Sequence, residues 1–177
     1  MTGFTSDELL LSLDPSSTIT GYALFSITPR GLHLKESGTL TGKSGTDAVA
    51  RVLEMRRELL IMLREHRPRI MLVEIPTGKQ YTRKGERTTG FPVWAGAAWA
   101  LWMVCEDWAE RIEGHQCFVH PVSNTEWTRG QSKSVRQTMV TLQYPEYDAE
   151  KDKGANKADA ISMALWWEPR APKGHDG

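Results

Sequence analysis

"LSLDPSSTITGYALF", residues 11–25, places an acid directly after an apolar run and follows it with a short turn of small residues. The apolar run 9–14 ends in Asp14 and predicts a buried central strand, and the segment 20–28 after the turn predicts a second strand. A carboxylate at the end of a buried strand is costly to desolvate unless something pairs with it. Asp14 therefore needs a partner elsewhere in the chain.

The rest of the sequence extends these two strands into a layered α/β fold. The segment 32–40 alternates polar and apolar residues and predicts the third strand of an antiparallel meander. Two further apolar segments, 69–76 and 117–122, predict strands that alternate with helices. This order of elements predicts a mixed sheet packed between helices. The predicted helices cover 46–66, 92–113, 134–142 and 155–167.

The composition indicates one domain without a membrane-spanning segment. The chain has 177 residues, of which 40% are hydrophobic and 25% charged, and its formal net charge is zero. At zero net charge, any contact with nucleic acid must come from local basic patches. The N-terminus lacks the basic region of a signal peptide, and the longest apolar run, 93–105, is too short to cross a bilayer. We therefore expect a cytoplasmic protein with a folded domain over 1–168 and a flexible tail over 169–177.

Two further acids are predicted to lie beside Asp14. Glu74 ends a predicted strand, and the ends of neighbouring strands in an α/β sheet meet in one crevice. Asp159 lies in the last predicted helix, with Asn156 three residues earlier on the same face. Three carboxylates close together repel one another unless a cation neutralises them. Oxygen ligands without a Cys or His cluster favour Mg²⁺ or Mn²⁺, and two such ions together can catalyse phosphodiester cleavage.

Three segments, "LSLDPSSTITGYALF", "MLVEIP" and "ANKADAISMAL", occur in an order and spacing that resemble the RuvC Holliday junction resolvases of the RNase H-like superfamily. The first matches the family pattern Asp-Pro-Gly/Ser-x-x-x-Thr-Gly from Asp14 onward, and the second carries the second acid as Glu74. The third segment matches the family's last motif, which consists of an acid or His, two further residues and then Asp-Ala. Asn156 stands at the position of the acid or His, and Asp159 at the position of the Asp. The resemblance covers residues 9–167.

The resemblance implies a fold, an activity and an assembly. The fold would be an RNase H-like layered α/β fold with a mixed five-stranded sheet flanked by helices. The activity would be that of a Mg²⁺-dependent crossover junction endodeoxyribonuclease, which resolves four-way DNA junctions by paired nicks in DNA recombination and repair. The helix 92–113 carries Trp94, Trp99 and Trp102 and is too apolar for a monomer surface, so core burial and a dimer interface compete to explain it. The resemblance favours the dimer, because the family dimerises through the corresponding helix. The implied catalytic residues and ligands of two Mg²⁺ ions, for which Mn²⁺ would substitute, are Asp14, Glu74, Asp159 and Asn156.

The sequence departs from the family at several positions. Asn156 is neutral where the family has a charged or His ligand, and Asp152 on the preceding loop is a candidate to compensate. The family's basic residues after the fifth strand are absent from "PVSNTEW", and its aromatic residue after the second acid is absent from "EIPTG". Tyr81 is a candidate replacement for that aromatic residue. Such divergence suggests a phage protein or an otherwise distant bacterial member, and whether a branch-migration helicase is a partner stays open.

Two basic groups are predicted to contact DNA. The first lies in the long polar loop 77–90 directly after Glu74, and the second follows the fifth strand. Basic side chains with an interleaved aromatic ring suit a surface that holds phosphates while it stacks a base. The predicted DNA-binding residues are Lys79, Tyr81, Arg83, Lys84, Arg87, Arg129, Lys133 and Arg136. Four arginines of the first helix are instead expected to form a solvated face: Arg56, Arg57, Arg64 and Arg67.

Other functions compete with junction resolution. One is a broader branched-DNA or RNA-processing nuclease of the same superfamily. Another is a junction-binding protein whose site is weakened by the neutral Asn156. A third is the actin-like ATP-binding fold, whose first phosphate loop has a similar pattern; that fold needs a second half, for which 177 residues leave no room.

Overall fold

The computed structural model of the chain describes residues 8–43, 45–76, 91–112, 114 and 116–168. The strands are β1 (Leu9–Asp14), β2 (Ile19–Thr28), β3 (Gly31–Thr41), β4 (Ile70–Ile75) and β5 (Phe118–Ser123). The helices are α1 (Ala48–His66), α2 (Phe91–Arg111), α3 (Asn124–Thr128), α4 (Lys133–Gln143) and α5 (Asn156–Trp167). The tail 169–177 lies outside the described residues, as do Lys79, Tyr81, Arg83, Lys84 and Arg87.

The five strands form one mixed sheet in the order β3-β2-β1-β4-β5. β1, β2 and β3 pair antiparallel, so the predicted meander is confirmed, whereas β4 is parallel to β1 and β5 is parallel to β4. Leu13 of β1 pairs with Val73 of β4. The next residue on each strand is an acid, Asp14 or Glu74, and the two acids therefore lie at the same edge of the sheet.

Helices cover both faces of the sheet. Leu10 and Leu11 are neighbours in β1, are both fully buried and belong to two different hydrophobic clusters, because successive strand side chains point to opposite faces. β1 therefore contacts a core on each side, which explains its continuous apolar run. α5 packs on β1 and β2 on one face, and α1 and α2 pack together on the other. None of the helices in the described ranges combines the length and apolarity needed to cross a membrane.

The predicted helices are present with boundaries shifted by one or two residues. α1 begins after Asp47, whose carboxylate accepts a hydrogen bond from the Ala50 N–H at 2.8 Å, and ends at Arg67 in the left-handed conformation before Pro68. The short helix α3 was not predicted. It follows a Ser-x-x-Glu capping box, in which the Glu126 carboxylate accepts a hydrogen bond from the Ser123 N–H at 3.0 Å.

α5 approaches β2 so closely that only glycine fits at one position. A Cβ atom placed on Gly21 would lie 1.9 Å from the backbone oxygen of Asn156, far inside the contact distance of real atoms. The absence of a side chain at Gly21 therefore lets the first turn of α5 lie against the sheet beside β1. This contact brings Asp159 towards the edge of the sheet that carries the other two acids.

Candidate active site

Three acids from three elements lie near the carboxyl edge of the sheet. Asp14 ends β1, Glu74 lies near the end of β4, and Asp159 lies in the first turn of α5. The charges of Glu74 and Asp159 both raise the pKa of Asp14, and the charge of Asp159 raises the pKa of Glu74. The structure therefore brings together the three acids singled out in the sequence.

Asp14 has the least compensated carboxylate of the three. Among the described residues none donates a hydrogen bond to its side chain. Burial raises its pKa well above the ordinary value, the charges of Glu74 and Asp159 raise it further, and the more distant charges of Lys133 and Arg136 lower it. An acid held in this way favours either a proton or a bound cation.

Glu74 is oriented by two side chains of α3. It is 3% exposed, and its Oε2 accepts a hydrogen bond from the Trp127 indole N–H at 2.7 Å. The Asn124 amide nitrogen lies 3.3 Å from Oε1 and 3.2 Å from Oε2. The pKa of Glu74 is raised on balance: burial is the largest influence and raises it, these two hydrogen bonds lower it, and the charge of Asp159 raises it further. Asn124 and Trp127 were missed in the sequence, where the Ser-x-x-Glu pattern was the available signal for a helix carrying them.

Asp159 is paired with two cations of α4. The Arg136 Nε donates to its Oδ1 at 2.7 Å, and the Lys133 Nζ lies 3.2 Å from its Oδ2. Arg136 is buried and its guanidinium lies 4.9 Å from the centre of the Trp127 ring, whereas Lys133 remains exposed. Arg136 therefore links the partners of Asp159 to those of Glu74. DNA contact by Arg136, Lys133 and the exposed Arg129 stays a prediction.

Asn156 and Asp152, the two candidates for a fourth ligand, differ in their surroundings. Asn156 begins α5 and lies one turn before Asp159, with its side chain half-buried. Asp152 is buried, and its carboxylate accepts hydrogen bonds from the Tyr147 hydroxyl at 2.7 Å and from the Ala158 N–H at 2.9 Å. A further hydrogen bond comes from the second backbone N–H of α5 at 3.3 Å. Asp152 therefore caps the helix that carries Asp159, which argues against its service as the missing ligand.

The donor set suits a hard divalent cation. The three acids offer carboxylate oxygens only, and burial, followed by the charge of neighbouring acids, raises the pKa of Asp14 and of Glu74. Among the described residues, no group of three His, Cys, Asp or Glu side chains is placed to ligate one ion. The Asp159 carboxylate is paired with Arg136. Ligation of a cation by Asp14, Glu74 and Asp159, with Asn156 as a neutral oxygen ligand, stays a prediction.

No protein-family model matches the sequence, and no curated protein sequence matches it. Solved structures do match. RuvC of T. thermophilus in complex with a Holliday junction substrate aligns with a TM-score of 0.65 and 18% identity over 89% of this chain and 91% of that chain. A second Thermus thermophilus RuvC structure aligns with a TM-score of 0.62 and 18% identity over 89% of this chain and 92% of that chain. The fowlpox virus Holliday junction resolvase aligns with a TM-score of 0.47 and 13% identity over 89% of this chain and 92% of that chain. The two RuvC alignments confirm the predicted RNase H-like fold and the resemblance at the level of the fold.

Proposed function

We propose that the protein is a metal-dependent endonuclease that resolves four-way DNA junctions. The observation that carries the proposal is the group of three acids at one edge of a RuvC-like sheet, with the Asp14 carboxylate lacking a partner among the described residues. The two similar RuvC structures, one of them bound to a Holliday junction, support the choice of substrate. A homodimer would present two such sites to a substrate that has matching two-fold symmetry.

Each side chain of the site has a distinct role in this proposal. Asp14, Glu74 and Asp159 would hold the cation, Mg²⁺ or Mn²⁺, which supplies charge neutralisation and an activated water for attack on a phosphodiester. Asn124 and Trp127 fix the direction of the Glu74 carboxylate through the hydrogen bonds described above. The products would carry a 5′-phosphate and a 3′-hydroxyl, as in the RuvC family.

Lys133 and Arg136 compensate the negative charge of Asp159. They neutralise Asp159 at 3.2 and 2.7 Å in a site whose acids otherwise repel one another. Lys133 is more than half exposed, with a side-chain exposure of 58%, and its ammonium also donates a hydrogen bond to the Gly154 carbonyl at 2.9 Å. A substrate phosphate would replace one of these two partners. Arg136 is confined between Asp159 and the Trp127 ring, so its role is to position these groups.

A panel of nucleic acids tests the substrate. Under Mg²⁺ or Mn²⁺, the protein should nick a synthetic four-way junction in opposite strands and leave a linear duplex of the same sequence intact. Cleavage of forks, flaps or an RNA–DNA hybrid at a similar rate would favour the broader nuclease. Tight junction binding without cleavage under either ion would favour the junction-binding protein.

The exposed face of α2 is the proposed dimer contact. Val93, Trp99 and Met103 are 42%, 42% and 51% exposed along α2. Gly96 lies among them, and a Cβ atom there would meet nothing within 4 Å. Glycine inside a helix costs about 1 kcal/mol relative to alanine. No contact with a described residue requires a glycine here, and close approach of a second helix would account for it. A second copy of the chain would cover this face.

Trp99→Glu is expected to convert the dimer into a monomer. Loss of a central aromatic residue from an interface costs about 2 kcal/mol or more, which is about a 30-fold rise in the dissociation constant, and the buried glutamate adds to this. Analytical ultracentrifugation measures the change. Val49→Glu is the matched control, since Val49 is 70% exposed on a different helix, α1, and its variant should remain dimeric. A monomeric wild-type protein at micromolar concentration would contradict the proposal.

Asn156→Ala and Asp152→Ala are expected to have opposite phenotypes. Asn156→Ala removes a neutral oxygen ligand and should raise the Mg²⁺ concentration for half-maximal cleavage about tenfold, with Mn²⁺ rescuing activity better than Mg²⁺. Asp152→Ala removes a helix cap and should lower the free energy of unfolding by about 2 kcal/mol without changing that Mg²⁺ midpoint. A raised midpoint in Asp152→Ala and an unchanged one in Asn156→Ala would reverse the assignment.

A further inference from the structure

A cavity of about 440 Å³ lies where α1 and α2 end. Its described lining consists of Arg64, Arg67, Trp108, Arg111 and Ile112. α1 leads into the start of β4 and α2 into the start of β5, whereas the three acids lie at the opposite edge, where β1 and β4 finish. The cavity is therefore separate from the candidate active site.

The positive charge of this cavity has no counterpart in the described part of the chain. Arg64, Arg67 and Arg111 make no ion pair and no side-chain hydrogen bond with any described residue. No acidic side chain belongs to the described lining. Three guanidinium groups thus face one volume, although like charges repel when they share a site.

The helix dipoles explain only part of this arrangement. Arg64 lies in the last turn of α1 and Arg111 in the last turn of α2, where basic residues are favourable. The carboxyl end of a helix carries about half a negative charge, so two ends offset about one of the three positive charges. About two positive charges remain, which a doubly charged anion would neutralise.

Trp108, which lines the cavity, has a hydrogen-bond donor without an acceptor. The indole nitrogen of Trp108 is buried and has no hydrogen-bond partner among the described residues. A buried donor left without an acceptor is unfavourable. An anion in the cavity would accept this hydrogen bond as well as those of the guanidinium groups.

We propose that the cavity binds a phosphate group. Guanidinium groups present paired N–H donors that match phosphate oxygens, and arginine is the common residue for such recognition. The charge of a phosphate dianion equals the excess that the helix ends leave. The volume exceeds that of one phosphate, so a ligand that carries additional atoms next to the phosphate would fit. Arg64 and Arg67, expected from the sequence to form a solvated face, would instead belong to a binding site.

Titration with inorganic phosphate tests this site directly. The full chain is observed in metal-free buffer of constant ionic strength through the indole N–H signals of a proton–nitrogen correlation spectrum, and Trp108→Phe assigns the signal. Phosphate should shift the Trp108 signal saturably, and Arg111→Gln should weaken binding about tenfold, the effect of about 1.4 kcal/mol. The combined variant R64Q/R67Q/R111Q should abolish the shift. Arg56→Gln, an exposed arginine of α1 outside the cavity, should leave it unchanged.

Two outcomes overturn the proposal. One is a Trp108 signal that does not respond saturably, or responds equally in a folded R64Q/R67Q/R111Q variant. The other is dissociation of the dimer by this variant without any effect of phosphate, which would assign the arginines to contacts between subunits. A short duplex that shifts the same signal and competes with phosphate identifies a nucleic-acid backbone as the source, whereas a response to phosphate alone identifies a small ligand. The experiment uses neither metal nor cleavage, so its outcome is independent of the proposed nuclease activity.

Discussion

Asp14→Asn is expected to abolish junction cleavage and to stabilise the metal-free protein at neutral pH. Loss of even an outer partner of a metal ligand costs about 10–100-fold in activity, so loss of a ligand should cost more than about a hundredfold. The same change removes a carboxylate that burial and the charges of Glu74 and Asp159 disfavour. Junction binding should be retained or tightened, because one source of repulsion against phosphates disappears.

The pH dependence of stability follows from the raised pKa of Asp14. A carboxyl group whose pKa is raised by folding contributes stability that is complete below its ordinary pKa, about 4, and is lost as the pH rises through the folded value. In a chelator, the free energy of unfolding of the wild type should therefore fall as the pH rises from about 4 towards neutrality. Asp14→Asn should weaken this dependence. Urea denaturation at several pH values measures it, and added Mg²⁺ should restore stability to the wild type alone.

Asp148→Asn is the matched control for this pair of measurements. Asp148 is an exposed acid that pairs with Lys151 at 2.9 Å and lies outside the candidate active site. Its variant should cleave like the wild type and keep the wild-type pH dependence. If Asp14→Asn retains cleavage, or loses it together with its fold, Asp14 is a structural acid.

Gly21→Ala is expected to lower the free energy of unfolding by about 3 kcal/mol or more and to abolish cleavage. The new Cβ atom would overlap the backbone of Asn156, with its oxygen at 1.9 Å and its carbonyl carbon at 2.4 Å. Backbone atoms cannot rotate away, so β2 and α5 must separate. Asp159 would then move from the other two acids. Thermal or urea denaturation measures the first effect and junction cleavage the second.

Gly38→Ala provides the comparison within the same sheet. A Cβ atom there would meet the end of the Tyr22 ring at 2.6 Å, and that side chain can turn aside. The loss of stability should therefore be about 1 kcal/mol, with cleavage retained. Equal stability of the two alanine variants would contradict the close approach of α5 to β2.

The fold was predictable because its central features are periodic in the sequence. β1 and β4 are apolar on both faces, so their runs stand out, and each ends in an acid whose position follows from the pairing of parallel strands. Asp159 was predictable through its motif. The support of Glu74 was not, because α3 has only five residues and shows no helical period. Its capping box was the one local signal of its presence.

Side-chain partners were harder to predict than positions. Arg136 was identified as a basic residue for DNA, since a formal charge does not reveal what it faces. It lies four residues before Val140, and both are buried on one face of α4, so the helical period already placed it towards the core. The sequence likewise does not show what the Asp152 carboxylate contacts. Its role as a helix cap becomes clear only once α5 is seen to begin at Asn156.

The most direct test of the account is the rate of cleavage of a labelled four-way junction as a function of Mg²⁺ concentration. We predict no cleavage in a chelator and a cleavage rate that rises saturably with Mg²⁺ or Mn²⁺. The wild type should nick opposite strands, and Asp14→Asn should produce no such nicks. Cleavage that persists in the chelator would contradict a metal-dependent centre at Asp14, Glu74 and Asp159. Failure to cleave a bound junction at any concentration of either ion would contradict the nuclease itself.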